Sequence, residues 1–487
     1  MTDNFTQFHG NGPPAGFEVT SYANVSIDGF EASGNLTPGA SGSGILYISA
    51  GTHHTLNNIQ INGSGNGADG IVISAPSATI DVSDALVEGV VGTGIGLLGK
   101  IIAVESLTVN DADSYAAEIS AVTSASEFSL LDSTFNGNGR GVNIYSEGVA
   151  SLNNVAIADT ATAYGLRVSR HEAHIANVTV SGGQSTSSPA VVLLQGAYDI
   201  DNMTVTDNAG GGVAVGSPTT VTNATIKNST IARNAMGAFD PDTDQKSAGL
   251  ASIGSPDDED FTSVVAVKNS LIFANTGSAQ CIEYDKATIA ATFSIVSDNS
   301  CSGAQTVSDI DTFVAANLAD NNSDGDGLGY HQTGGPLQTL SLINTPNNPA
   351  IGAGDPASCS TYDARGFERD LTKGCDIGSF QVNIAGAGST DPGTPSTGGG
   401  TSGGSGSGGT SGSGSGDGSV TAPNTGELAT IQPSTNNGNA TDESSDGDED
   451  ASSSSFNGTT VLIIVIITII AGVGVTGLVI RARRNTP

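Results

Sequence analysis

The chain has 487 residues, with 49 acidic against 15 basic side chains and a formal net charge of −34. That balance argues against a nucleic-acid partner, because phosphate binding needs clustered Lys and Arg. With 67 Gly, no Trp and only 13% charged residues, the composition suits short strands and tight turns better than helices.

The first residues, MTDNFTQFHGNGPPAGFEV, have neither a basic n-region nor an apolar h-region, so they do not read as an export signal. From Ser21 to about Asn299 one pattern recurs: NNIQING, SDALVEG, ESLTVND, LDSTFNG, NNVAIAD, ANVTVSG, DNMTVTD, KNSTIAR and KNSLIFA. Its apolar anchors are Ile61, Val87, Val109, Phe135, Ile157, Val180, Val205, Ile231 and Ile272, spaced 22–26 residues apart except for a last step of 41. Between the anchors sits a second pattern, a Gly followed by apolar-x-apolar, as in Gly70-Ile71-Val72-Ile73, Gly94-Ile95-Gly96-Leu97, Gly141-Val142-Asn143-Ile144, Gly165-Leu166-Arg167-Val168 and Gly212-Val213-Ala214-Val215. Each repeat therefore holds two or three strands of period two separated by turn residues. That period is one coil of a parallel β-helix, in which inward side chains stack turn upon turn and corner Asn residues can form a ladder. A leucine-rich repeat would need LxxLxLxxN, which is absent, and a β-sandwich array would show less constant spacing. The expected fold class is all-β, a right-handed parallel β-helix over 1–299 of roughly ten coils.

In this register one strand face carries Asn143 and Tyr145 on one coil, then Arg167, Ser169 and Arg170 on the next, with Arg140, His171, Glu172 and His174 nearby. Asn143, Tyr145, Arg167, Arg170 and His171 are the candidate ligand-binding residues, because cationic and aromatic groups otherwise scarce in the chain meet there. A solvated corner is the plainer reading. The other outward positions, Val72, Gly96, Val192 and Ala214, are small or neutral, so no row of carboxylates for glycosidic cleavage is expected. The 41-residue step carries Asp240, Asp242, Asp244, Asp257, Asp258, Glu259 and Asp260 and reads as one protruding loop. Asn177-Val178-Thr179 and Asn202-Met203-Thr204 are sequons that fall out of the repeat itself.

Cys281, Cys301, Cys359 and Cys375 contain no CxxC pair. Their spacing suggests the disulfides Cys281–Cys301 and Cys359–Cys375, the alternative being four buried thiols. Asp320, Asn322 and Asp324, followed by Gly325, match the first half of a Ca²⁺ loop, but His331 stands where the bidentate Glu belongs. Ca²⁺ is thus the one cofactor the sequence suggests, beside the reading of no cofactor.

The segment from Asn344 to Gln381 contains Asn348-Pro349-Ala350-Ile351, Cys359, Asp363-Ala364-Arg365-Gly366, Arg369 and Cys375-Asp376-Ile377-Gly378. In order and spacing it resembles the choice-of-anchor Q domain that ends right-handed β-helix repeats in a family of bacterial surface proteins. Gly352, Ala364, Asp370 and Ser379-Phe380-Gln381 depart from that family's pattern. The resemblance implies surface display, not an activity. On its own residues, 300–384 reads as a disulfide-bearing cap over the open end of the helix, with Arg365 and Arg369 pairing with Asp363 and Asp376.

From 385 to 459 the chain is Gly/Ser-rich and then acidic, and reads as a disordered stalk. Ala422-Pro423-Asn424-Thr425-Gly426 within it resembles a sortase sorting motif. Residues 460–480, TVLIIVIITIIAGVGVTGLVI, are uncharged and long enough for one transmembrane helix. The tail 481–487 holds Arg481, Arg483 and Arg484, which the positive-inside rule places in the cytoplasm. An outside domain needs an export signal, so the sequence is expected to be truncated at its N-terminus; a tail-anchored protein facing the cytoplasm is the alternative that the Arg flank disfavours. Together these readings describe a single-pass cell-surface protein with its N-terminal domain outside. The expected function is that of an adhesin, glycan binder or cell-envelope component without catalysis, with the membrane and extracellular glycans or a host or neighbouring cell surface as partners. The rival is a tethered polysaccharide lyase or glycoside hydrolase of the pectate-lyase-like type.

Overall fold

The structure, a computed structural model, describes residues 6–10, 17–19, 24–34, 44–49, 51–66, 69–219, 221–236, 248–256, 258, 260–307, 309–319, 328–330, 337–372 and 374–382. The expected stalk at 385–459, the membrane span at 460–480, the tail at 481–487, the sorting-like motif at Ala422–Gly426 and the Ca²⁺ loop at Asp320, Asn322 and Asp324 lie outside the described residues. No helix among the described residues is long and apolar enough to cross a membrane.

The repeats wind into a parallel β-solenoid. Each turn places one short strand in an 11-stranded parallel sheet, here face I, which runs from Phe17–Val19 to Cys281–Tyr284. It then lays a longer strand into a 17-stranded sheet. That longer strand is bent. In Thr79–Val90 the residue Asp84 adopts φ 50°, which shifts the inward phase from Ile80 and Val82 to Ala85 and Val87. The bend divides the sheet into face II before it and face III after it.

All nine anchors read from the sequence share one buried column on face III. Ala32, Ile61, Val87, Val109, Phe135, Ile157, Val180, Val205, Ile231, Ile272 and Val296 pair in direct succession. None is more than 2% exposed. Leu46, Ile71, Ile95, Ala117, Val142, Leu166, Val191, Val213 and Leu250 stack likewise on face I. Turns spaced about 4.8 Å apart keep each side chain on its equivalent, giving a dry core.

The corners explain the Asn-rich repeat. The bend between faces II and III is held at positive φ by Asn58, Asp84, Ser106, Asp132, Asn154, Asn177, Asn202, Asn228 and Asn269. Asn and Asp tolerate this left-handed region better than bulkier residues do. Their amides link turns: Asn202 Nδ2 donates to Asn177 Oδ1 at 3.1 Å and Asn269 Nδ2 to Asn228 Oδ1 at 3.2 Å. A second, interior ladder runs Asn208, Asn234, Asn275, Gln280, with amide donations of 2.8, 2.9 and 2.7 Å. The glycine at the start of several face I strands answers a close approach. A Cβ on Gly141 would stand 1.8 Å from the Gly165 carbonyl oxygen of the next turn.

The insert differs from expectation. Ile231 still pairs with Ile272, but the face I strand Leu250–Ile253 lies within this step, so its residues are not one loop; Asp240, Asp242, Asp244, Asp257 and Glu259 lie outside the described residues. The last parallel pairing joins Ile295–Val296 to Gln305–Thr306, and the disulfide Cys281–Cys301 ties this final turn.

The C-terminal module is not the expected cap across the end. After the helix Ile310–Asn317, N-capped by Asp309, its described residues run back along the flank of face III. Thr179 Oγ1 donates to the Gln338 carbonyl at 2.8 Å, Ser379 N donates to Thr230 Oγ1 at 3.1 Å, and Gly378 N donates to the Asn269 carbonyl at 2.8 Å. Contacts from Thr179 to Asn269 span four turns, which an end cap could not reach. The reason is visible on face III: the outward Leu271 and Ile295, with Phe273 and Ala232, form a second core with Phe313, Leu340, Ile377 and Phe380. The disulfide Cys359–Cys375 forms as expected and lies on the corner ladder, where Asn269 Nδ2 approaches Cys375 Sγ at 3.5 Å. Arg365 pairs with Asp363 at 2.6 Å, both buried. Arg369 does not bond the Asp376 carboxylate. Its Nη2 donates to Asn202 Oδ1 at 2.8 Å and to the Gly378 carbonyl at 2.9 Å, and its Nη1 to the Asp376 carbonyl at 3.0 Å. The Asp376 carboxylate instead accepts from the amides of Gly352 and Val382 at 2.7 and 2.6 Å.

Candidate functional site

Face I is flat, and its outward side chains fall into rows because each strand pairs in register with the next. Val72, Gly96, Glu118, Asn143, Arg167, Val192 and Ala214 occupy one row. Five of these were read from the Gly-apolar-x-apolar pattern, and Val192, whose turn has Ala190 in place of the Gly, was read as outward with them. The seventh, Glu118, whose turn has Ala116 where the pattern has Gly, was not read. The expectation was that no row of carboxylates stands here; Glu118 is a single acidic position that the reading did not include. Glu118 is the one carboxylate among these seven, half-buried between Gly96 and Asn143; the row continues through Tyr47 to Glu18. Burial raises its pKa above the ordinary Glu value, as does the nearby Asp69, while the hydrogen bond with Asn143 and the charge of Arg140 act against the rise.

Three residues before this row, at the strand entrances, stand Tyr115, Arg140 and Tyr164. Arg140 Nη1 donates to the Tyr115 hydroxyl at 2.7 Å, with the guanidinium 4.9 Å from that ring's centre. Tyr164 Oη donates to Tyr115 Oη at 3.4 Å, the two rings being 6.4 Å apart. Arg167 lies 5.7 Å from the Tyr164 ring centre. Burial, helped by the Tyr115 hydrogen bond, pushes the Tyr164 phenol far up, so it stays neutral. Cations and rings alternate across three turns, which is the geometry of cation–π stacking.

The structure splits the five candidate residues between two places. Asn143 and Arg167 are direct neighbours in the row. Tyr145, Arg170 and His171 belong to the far corner, between faces I and II. There Arg170 stacks at 4.7 Å on the Tyr145 ring and pairs with Glu147 at 2.5 Å, while Tyr145 Oη donates to Glu147 Oε1 at 3.0 Å. Arg170 and His171 both take positive φ, 76° and 53°, turning the chain. They line a recess of about 380 Å³ with Gln195, Thr219, Val221 and Phe261. Glu172 and His174 lie elsewhere, on face II, paired at 3.4 Å beside a recess of about 250 Å³ that also has Asp199, Asn223 and Thr225 on its wall. That second recess had no sequence signal, since the outward positions of face II follow no fixed motif.

The arrangement can stack a flat ring on tyrosines and hold an oxygen-bearing group on guanidinium and amide donors. Among the described residues, no group of three or more His, Cys, Asp or Glu side chains is placed to hold a metal ion.

The molecule is a disulfide-tied parallel β-solenoid that carries the Tyr–Arg row on face I. No family model, no curated protein and no solved structure matches the chain.

Proposed function

We propose that this is a membrane-anchored cell-surface protein whose right-handed β-helix binds glycans without cleaving them. The observation that carries the reading is the open row of Tyr115, Arg140, Tyr164 and Arg167 on a flat sheet, with Asn143 and Glu118 beside it. Tyrosine faces suit the C–H faces of sugar rings, and Arg and Asn supply donors to their oxygens. Cleavage would ask for paired carboxylates at suitable separation, and the carboxylates of the row among the described residues, Glu18 and Glu118, are four turns apart. The basic-flanked apolar segment 460–480 and the Gly/Ser-rich stretch before it supply an anchor and a stalk, and the Asn344–Gln381 segment fits a choice-of-anchor Q module used for display.

A glycan array probed with residues 1–385 in Ca²⁺, with product analysis of every hit, tests this. Binding without new reducing or unsaturated ends is expected. Turnover that Arg167→Ala abolishes would establish the tethered lyase or hydrolase instead.

A further inference from the structure

Resting on the glycan-binding reading, we infer that the face I row recognises an anionic sugar, whose carboxylate sits on the guanidiniums of Arg140 and Arg167. Cations are scarce in this chain, and four of the described ones are paired with carboxylates: Arg170 with Glu147, Arg233 with Asp207, Lys227 with Asp199, Arg365 with Asp363. Arg140 and Arg167 are different. No carboxylate among the described residues stands within ion-pair distance of either, though both lie on the outer surface of a chain with 49 acidic side chains. They occupy adjacent turns, Arg140 paired with the strand that carries Tyr115 and Arg167 on the next.

Each is positioned by a tyrosine, Arg140 by the Tyr115 hydroxyl and ring and Arg167 by the Tyr164 ring. A tyrosine fixes the orientation of a guanidinium and leaves its charge available. Two charges pre-oriented this way lose little side-chain freedom when an anion arrives. The planar fork matches a planar carboxylate with two parallel hydrogen bonds, a fit that a tetrahedral sulfate ester reproduces less well. The Tyr115 and Tyr164 rings beside the fork offer a sugar its apolar face, and Asn143 lies next to Arg167 within the same row.

The chain's negative total does not oppose this. At physiological ionic strength charges beyond about 8 Å are largely screened, so the local groups decide. Those are Glu118 and Asp69. Against these two carboxylates stand the guanidiniums of Arg140 and Arg167, whose turns are the next two after that of Glu118.

The test is titration calorimetry on the full chain in detergent with four probes: oligogalacturonate, its methyl ester, a sulfated dextran and neutral dextran. Esterification removes the charge and keeps the ring. Oligogalacturonate is expected to bind more than about tenfold tighter than its ester. Arg140→Gln, at an exposed position, and Arg167→Gln, at a half-buried one, with folding checked by an unchanged melting midpoint, are expected to erase that preference, and Arg167→Lys to keep part of it. Equal affinity for acid and ester in the unaltered chain overturns the inference while leaving glycan binding intact. An acid preference that survives both Gln substitutions overturns the assignment of these two arginines. Tighter binding of the sulfated dextran overturns the carboxylate, and no binding of any probe overturns this inference and, if the array too is blank, the glycan reading with it.

Discussion

Glu118 shows how one position can alter the character of a surface. Its carboxyl is held partly out of water on face I, so its pKa lies above 4.5. A raised carboxyl means the folded state binds more protons than the unfolded state between the two pKa values. Its contribution therefore favours folding at acid pH and is lost as pH rises through the folded pKa. Glu118→Gln removes the buried charge, so the variant is expected to melt higher than the parent near neutral pH and alike at about pH 4. Melting midpoints followed from about pH 4 to about pH 8 check this. The sequence reading did not include the residue: its strand, Tyr115–Ala121, has Ala116 where the pattern has Gly, and no motif pointed to it. Asn143 and Arg167 were legible because their strands keep the Gly-apolar-x-apolar frame. Asn177 and Asn202, which read as sequons, are instead members of the corner ladder, and Asn202 is buried under the C-terminal module.

At the scale of the element, the turn is the unit, and its inward anchors were legible because burial on a fixed period leaves a fixed apolar spacing. What the spacing could not convey was the bend. Left-handed Asn or Asp at positions such as Asp84 divides one long strand between two faces, and Asn and Asp carry the same letters in any turn. Phe135 is the largest anchor in the face III column and is fully buried between Val109 and Ile157. Phe135→Ala should cost about 3–5 kcal/mol, because the turns above and below are tied by backbone ladders and cannot close on the void. Chemical denaturation reads this as a lowered midpoint.

At the scale of the molecule, the parallel stack followed from the repeat, while the path of the C-terminal module did not. Its Cys and Arg residues announced a compact, cross-linked segment. Nothing in their spacing said that it would return along face III, because that depends on the outward apolar residues Leu271 and Ile295, and a linear pattern does not tell what covers an outward side chain. The buried Arg365 and Arg369 now have a structural role: they satisfy backbone carbonyls and Asn202 where the module meets the ladder.

The returning module makes the two ends of the stack unequal in how they come apart. A solenoid turn is held only by its neighbours, so a bare stack can open one turn at a time from its end. From Thr179 to Ile295 the turns are also bound to a common strap, closed by Cys359–Cys375 and sharing the core of Phe273, Phe313 and Phe380. Those turns must open together. Amide hydrogen exchange is expected to show protection rising in steps from the first turns through Phe135, then one block of uniform, slow exchange from Val178 to Val296. Reduction of the disulfides should dissolve the block and restore the graded pattern; a gradient that continues unbroken through Val296 in the oxidised protein would show that the strap does not couple the turns.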